Sequence, residues 1–231
     1  MSEHGAPALP LLAREVVSYG AMRMLARFGT TVPLPVMDAE QLVLIIPGFM
    51  ADDGTTGRLR RSLCNAGYHA YGWGLGRNRG IKADLLDQID ARVNAIQTDS
   101  GISRPPVIIG WSLGGLVARE YAKFAPHRAA KVITMGSPFS GDIRHNNAWR
   151  AYEVIARHSV DDPPIETILK EKPQVPTIAF WSRQDGVVSP TSARGELGEV
   201  DQQIELDCTH MAFVSKPSAI AAVAAAIPLE N

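Results

Sequence analysis

Six short apolar runs recur along the chain, and the stretches between them carry helical spacing. Gln41–Ile46 reads QLVLII and stops at Pro47-Gly48. A continuous run of this kind suits a strand buried on both faces of a parallel sheet. Tyr68–Leu75, Pro106–Gly110, Lys131–Met135, Pro176–Trp181 and Gln203–Leu206 are further strand candidates. Between them, residues 55–66 read as a helix closed by Gly67. Residues 82–98 place Leu85, Leu86, Ile89, Val93 and Ile96 at helical intervals, Leu113–Phe124 does the same, and a last helix is expected over Pro217–Ala226. At the other end, residues 9–29 carry Leu12, Val16, Tyr19, Met22 and Leu25 on one predicted face, with Arg14, Arg23 and Arg27 interspersed. This predicts a helix packed on the domain surface, with a peripheral membrane or dimer contact as the other reading.

Strands alternating with helices predict βαβ units and a mainly parallel sheet of about six strands, helices on both faces. The rhythm breaks once. Between Pro138 and Lys172 there is no strand pattern, only Trp149, Tyr152 and Ile155 and the breaker Pro163-Pro164. The expectation is a short helical, cap-like insertion over about 139–172, in a single domain spanning 1–231 with an N-terminal helical extension at about 9–30.

Length and composition fit this picture. A chain of 231 residues suits one core. With 45% hydrophobic and 20% charged residues it reads as globular, and a net charge of −1 offers no electrostatic footprint for nucleic acid or an anionic membrane. No apolar run approaches the ~20 residues of a spanning helix, so stable membrane insertion is not expected. The first residues lack a secretory pattern, and the two cysteines, Cys64 and Cys208, read as free thiols. A cytoplasmic location is the expectation. No pattern calls for a metal, a flavin or a nicotinamide.

The third strand candidate runs into Gly110-Trp111-Ser112-Leu113-Gly114-Gly115, a match to G-x-S-x-G. Alone the motif is weak. Its setting raises it, because VIIG precedes the serine and LGGLVAREYAKF follows it, the strand–turn–helix context the motif requires. The glycines have a steric reason: side chains two residues either side of a serine on so sharp a turn would collide with it. The following helix also turns its positive end toward the serine, where negative charge would develop.

Ile45-Ile46-Pro47-Gly48-Phe49, the Gly110–Gly115 motif and Gly136-Ser137-Pro138, together with Asp185 and His210, resemble the α/β-hydrolase superfamily, and within it a compact lipase or esterase. The resemblance spans about residues 41–226 and implies a minimal, six-stranded member. It implies the chain order nucleophile, acid, histidine. On that order Ser112 is the nucleophile. His4 and His69 precede it; His127, His145 and His158 precede any good acid candidate; His210, just past the sixth strand, is left as base. Asp185, just past the fifth strand in Arg183-Gln184-Asp185-Gly186, is the acid, with Asp161, Asp162 and Asp207 as weaker alternatives. The implied oxyanion hole has two backbone N–H donors. One is Leu113, and the other is Phe49, with Met50 as alternative. Pro47 stands where many relatives have histidine, which changes how that loop is supported.

Phe139, Ile143 and Trp149 are the candidate substrate-pocket residues in the insertion; with Tyr152 they either line an acyl pocket or anchor the insertion's own core. Trp73–Gly80 is glycine-rich but lacks phosphate-loop spacing, and reads as a loop on the site's rim, with Arg77 or Arg79 able to meet an anionic substrate. The function expected is hydrolysis of small-molecule carboxylic esters of short to medium acyl chain through an acyl-enzyme. The alternatives are acyl transfer by the same intermediate and a non-catalytic, hydrolase-like ligand-binding protein.

Overall fold

The computed structural model describes residues 5–36 and 40–229. Six strands form one sheet: β1 (Leu42–Ile46), β2 (His69–Gly72), β3 (Val107–Trp111), β4 (Lys131–Met135), β5 (Thr177–Trp181) and β6 (Gln202–Glu205). Every pairing is parallel, and the spatial order is β2-β1-β3-β4-β5-β6. The four inner strands are buried along their whole length, which is why they read as continuous apolar runs. The edge strand β6 is largely exposed and carries Gln202, Gln203 and Glu205 accordingly.

Side-chain alternation divides the core into two layers. Val43, Ile45, Val107, Ile109 and Phe180 face one way and meet α1 (Leu9–Phe28), α2 (Gly57–Asn65) and α7 (Pro217–Ala225) through Met22, Leu59, Leu63, Ile220 and Val223. Leu44, Ile46, Ile108 and Val132 face the other way, onto α3 (Leu85–Ser100), α4 (Leu113–Phe124) and Tyr152 of α5 (Trp149–Ala156). A sheet buried on both faces must be covered by helices on both, as the alternating pattern predicts.

Four differences from the sequence reading have physical causes. The strand expected over Tyr68–Leu75 ends at Gly72, because the next two amides leave the sheet: Trp73 N–H and Gly74 N–H donate to the Asp53 carboxylate at 3.0 Å each. The segment between β4 and β5 contains one helix, α5, and residues 157–176 form turns rather than a further helix. A short helix, α6 (Pro190–Arg194), follows β5; its signals were present, with Ser189 as N-cap accepting from Ser192 N–H and Pro190 in the first turn. Finally, α1 is rotated from its expected face. Glu15, Met22 and Ala26 are buried, while Val16 and Tyr19 are 74% and 49% exposed. A carboxylate has taken an inward position that the apolar pattern gave to its neighbour, and the reason lies at the candidate site.

Candidate active site

The sheet order makes β1 and β3 neighbours although β2 intervenes in sequence, so the connections after them leave in opposite directions. A crevice opens at the C-terminal ends of strands at such a reversal. The loop after β1, Pro47–Met50, and the turn after β3 both end there.

Ser112 is the single residue between β3 and α4, with φ 55° and ψ −124°. Positive φ is costly for a residue with a Cβ, on the order of 1–3 kcal/mol, and persists only where the surroundings impose it. Here they do. The Ser112 N–H donates to the Met135 carbonyl at 2.8 Å, and the flanking glycines allow close backbone approach. A Cβ on Gly110 would lie 2.2 Å from the Gly114 carbonyl oxygen, and one on Gly114 would lie 2.3 Å from that of Ile46. The two glycines of the motif are therefore steric requirements of the turn.

Asp185, on the loop after β5, and His210, at the start of a 3-10 turn over His210–Val214, are both buried. His210 Nδ1 lies 2.7 Å from Asp185 Oδ2. The other carboxylate oxygen accepts the Val187 and Val188 N–H groups, each at 2.8 Å. With Nδ1 engaged, the free imidazole nitrogen is Nε2. The Trp111 indole N–H donates to the His210 carbonyl at 3.1 Å, and the two rings are 5.6 Å apart, which holds the imidazole beside the end of β3. Among the described residues Ser112 Oγ and His210 Nε2 are not hydrogen-bonded to each other; such contacts are often long before substrate arrives. Burial by itself would lower the imidazole pKa. The charge of Asp185, its hydrogen bond and the charge of Glu15 outweigh burial, and the net effect is a rise above the ordinary 6.5. The other acid candidates lie elsewhere: Asp161 pairs with Arg144, Asp162 is exposed, and Asp207 faces Gln184 and Lys216 on the surface.

Glu15 was missed by the sequence reading. It comes from α1, is buried, and accepts three backbone N–H groups: Gly186 at 2.9 Å, His210 at 2.7 Å and Met211 at 3.1 Å. α1 lies so close to the acid loop that a Cβ on Gly186 would sit 2.3 Å from the Leu11 carbonyl oxygen. The only signal in the sequence was a lone acid within an apolar stretch.

The loop after β1 touches the serine, since a Cβ on Gly48 would lie 3.1 Å from Ser112 Cβ. Phe49 N–H and Leu113 N–H donate to no acceptor among the described residues, whereas Met50 N–H is engaged with the Asn78 carbonyl at 2.7 Å. Asn78 is the second residue the sequence reading missed. Fully buried, it donates from Nδ2 to the Pro47 carbonyl at 2.8 Å and from its own N–H to the Ala51 carbonyl at 2.8 Å. It thus supports both ends of the loop where Pro47 offers no polar side chain. The flanking Arg77 instead reaches Asp52, at 4.0 Å.

A cavity of ≈ 70 Å³ adjoins Ser112, lined by Phe49, Leu113, Ile143, Trp149, Tyr152 and Val188 among others. Ile143 and Trp149 stand where the pocket reading put them. Phe139 does not line this cavity: it is buried, with the Arg119 guanidinium 4.1 Å from its ring centroid, and borders a neighbouring cavity that shares Ile143. A Cβ on Gly195 would touch that ring at 2.7 Å, so Phe139 is tightly packed on that side.

A model of the alpha/beta hydrolase family matches residues 42–166, more than half of the chain, and the protein belongs to that family. A stretch of 76 residues is 33% identical to a pimeloyl-[acyl-carrier protein] methyl ester esterase of Shewanella woodyi; it covers 33% of this chain and 27% of that protein. Among solved structures, a lipase-esterase related protein from Clostridium acetobutylicum is similar with a TM-score of 0.61 and 13% identity, over 84% of this chain and 97% of that one. Metagenome-derived lipolytic enzymes described as LipS and LipT give 0.60 at 16% identity, over 86% and 99%. A bacterial membrane phospholipase A gives 0.57 at 17%, over 94% and 91%. At these identities the structures speak for the fold. Among the described residues no helix is long and apolar enough to cross a membrane.

Proposed function

We propose that this hydrolase cleaves carboxylic esters of short to medium acyl chain through an acyl-enzyme on Ser112. The observation that carries the reading is the strained Ser112 turn at the end of β3 beside the buried His210–Asp185 pair. In this mechanism His210 Nε2 takes the Ser112 hydroxyl proton as Oγ attacks the ester carbonyl carbon. Asp185 holds the tautomer that leaves Nε2 free and stabilises the imidazolium that forms. The carbonyl oxygen becomes an oxyanion and accepts from Phe49 N–H and Leu113 N–H, each such donor worth about 3 kcal/mol. Collapse expels the alkoxide, which takes the proton back from His210 and leaves as alcohol. Water, deprotonated by His210, then attacks the acyl-enzyme; the carboxylic acid departs and Oγ recovers its proton.

The acyl chain would lie along Ile143, Trp149 and Val188. Segment 139–172 would serve as a small cap on a single domain, excluding water from the acyl-enzyme. Each buried methylene contributes about 0.8 kcal/mol until such a groove is full. The small cavity favours short to medium chains. A series of p-nitrophenyl esters of increasing chain length tests this, run beside Ser112→Ala. The expected result is a maximum at short to medium length and a loss of at least ~10⁴-fold in the variant. Turnover that survives Ser112→Ala, or that rises steadily to long chains, would contradict the reading.

A further inference from the structure

We propose that Glu15 is a positioning residue of this site: its carboxylate ties the acid-bearing loop and the base-bearing loop together, fixing Asp185 and His210 relative to each other. The proposal rests on the assignment of Ser112, Asp185 and His210 given above.

The geometry is specific to this task. One oxygen, Oε1, receives Gly186 N–H and His210 N–H, one from each loop; the other receives Met211 N–H. Gly186 directly follows the acid, and His210 is the base itself. A movement of this one oxygen therefore moves both partners of the Asp185–His210 hydrogen bond. Glu15 is the only acidic residue of α1, and it is turned inward although Val16 is left exposed by that rotation. An unpaired buried carboxylate is costly, and here three N–H donors satisfy it in place of a cation. Such an arrangement also leaves a full negative charge near the imidazole. The charged groups acting on His210 are Asp185 and Glu15; Asp207 and Lys216 of the same loop act, with both of these, on the neighbouring Cys208. Both carboxylates favour the imidazolium that forms when Ser112 Oγ loses its proton.

The test compares wild type, Glu15→Gln and Glu15→Asp on a soluble short-chain ester across pH, with melting temperature and covalent labelling of Ser112 by a fluorophosphonate probe measured alongside. The Gln variant keeps an acceptor for Gly186 and His210 but presents an N–H₂ to Met211 and carries no charge. Its kcat should fall about 10–100-fold with KM little changed, as expected for a displacement of 1 Å or less. Its acidic limb in kcat/KM should move to lower pH, because an anion that favoured the imidazolium is gone. The Asp variant keeps the charge but is one methylene short. It should lose kcat while the limb stays in place, and it serves where the Gln variant does not fold. A Gln variant with wild-type kcat and an unmoved limb, whatever its melting temperature, would reduce Glu15 to a structural residue and overturn the proposal; so would an Asp variant with full kcat. Absence of Ser112 labelling and turnover in the wild type would instead remove the triad assignment, and this proposal with it.

Discussion

At Ser112 a single pair of dihedral angles organises the surroundings. A residue held at φ 55° needs neighbours that cannot relax, and the backbone atoms around Gly110 and Gly114 meet that need by near contact. Gly110→Ala should therefore cost about 3 kcal/mol or more of stability, because the obstructing atom is a carbonyl of the same turn and cannot move aside. Denaturant unfolding would show it as a lower midpoint with an unchanged slope. His210 gives a second expectation at this scale. The carboxylates of Asp185 and Glu15 raise its pKa, and the proposed reaction requires the neutral imidazole. Activity should thus fall on the acid side through a limb lying above 6.5, and rise with pH until that limb is passed. A kcat/KM profile with its acid limb at or below 6.5 would contradict this. The placing of Ser112, Asp185 and His210 just past strand ends was legible, because a motif announces the order. Glu15 was not, because its partners are backbone amides 171 to 196 positions away, which leave no pattern in side-chain identity. Phe139 was left ambiguous for a related reason. An aromatic residue beside an insertion suits a pocket and a core equally well, and Phe139 packs against the Arg119 guanidinium while bordering a cavity next to that of Ser112.

Among elements, two buried polar side chains hold segments that have no regular structure. Asn78 supports Pro47–Ala51, so Asn78→Ala should misplace the Phe49 amide while leaving the Asp185–His210 pair intact. The expected result is a loss of about 10²-fold in kcat with KM little changed, read by steady-state kinetics on a single ester. Arg119 of α4 donates to the carbonyls of Leu169 at 3.4 Å, Glu171 at 3.0 Å and Glu199 at 3.1 Å, tying the turns before β5 to the helix behind the serine. Burial pulls its guanidinium pKa down to about 10, against the opposing charges of Glu120 and Glu199, so it stays charged under ordinary conditions. Arg119→Ala would empty a fully buried site and leave three partly buried carbonyls without this donor, and should cost about 3 kcal/mol, with limited proteolysis beginning in residues 157–176. The strands and long helices were legible to within a few residues, since period and apolar runs report burial directly. The turns of 157–176 were not, because their order comes from hydrogen bonds to scattered side chains, among them Arg119, Lys123, Arg144 and Glu153.

For the whole molecule, the sheet order brings together parts that the chain makes far apart. β1 and β3 supply the loop and the turn, β5 and β6 lead to the candidate acid and base, and α1 lies against the loops that carry those two. The stretch that matches the family model, 42–166, contains Ser112 but neither Asp185, His210 nor Glu15. Removing residues 1–30 should leave the sheet's order unchanged, uncover the surface under Met22 and Ala26, and lower kcat/KM by about 10²-fold or more. Circular dichroism and ester turnover measured together would separate the two effects. The contact between Glu15 and His210 spans 195 positions. A ribosome therefore releases the helix first, the serine turn next and the partner loop after both. On the proposed mechanism, a nascent chain that has passed Ser112 but not yet reached His210 holds a nucleophile with no base to activate it, so turnover waits until the His210 loop has docked against Glu15.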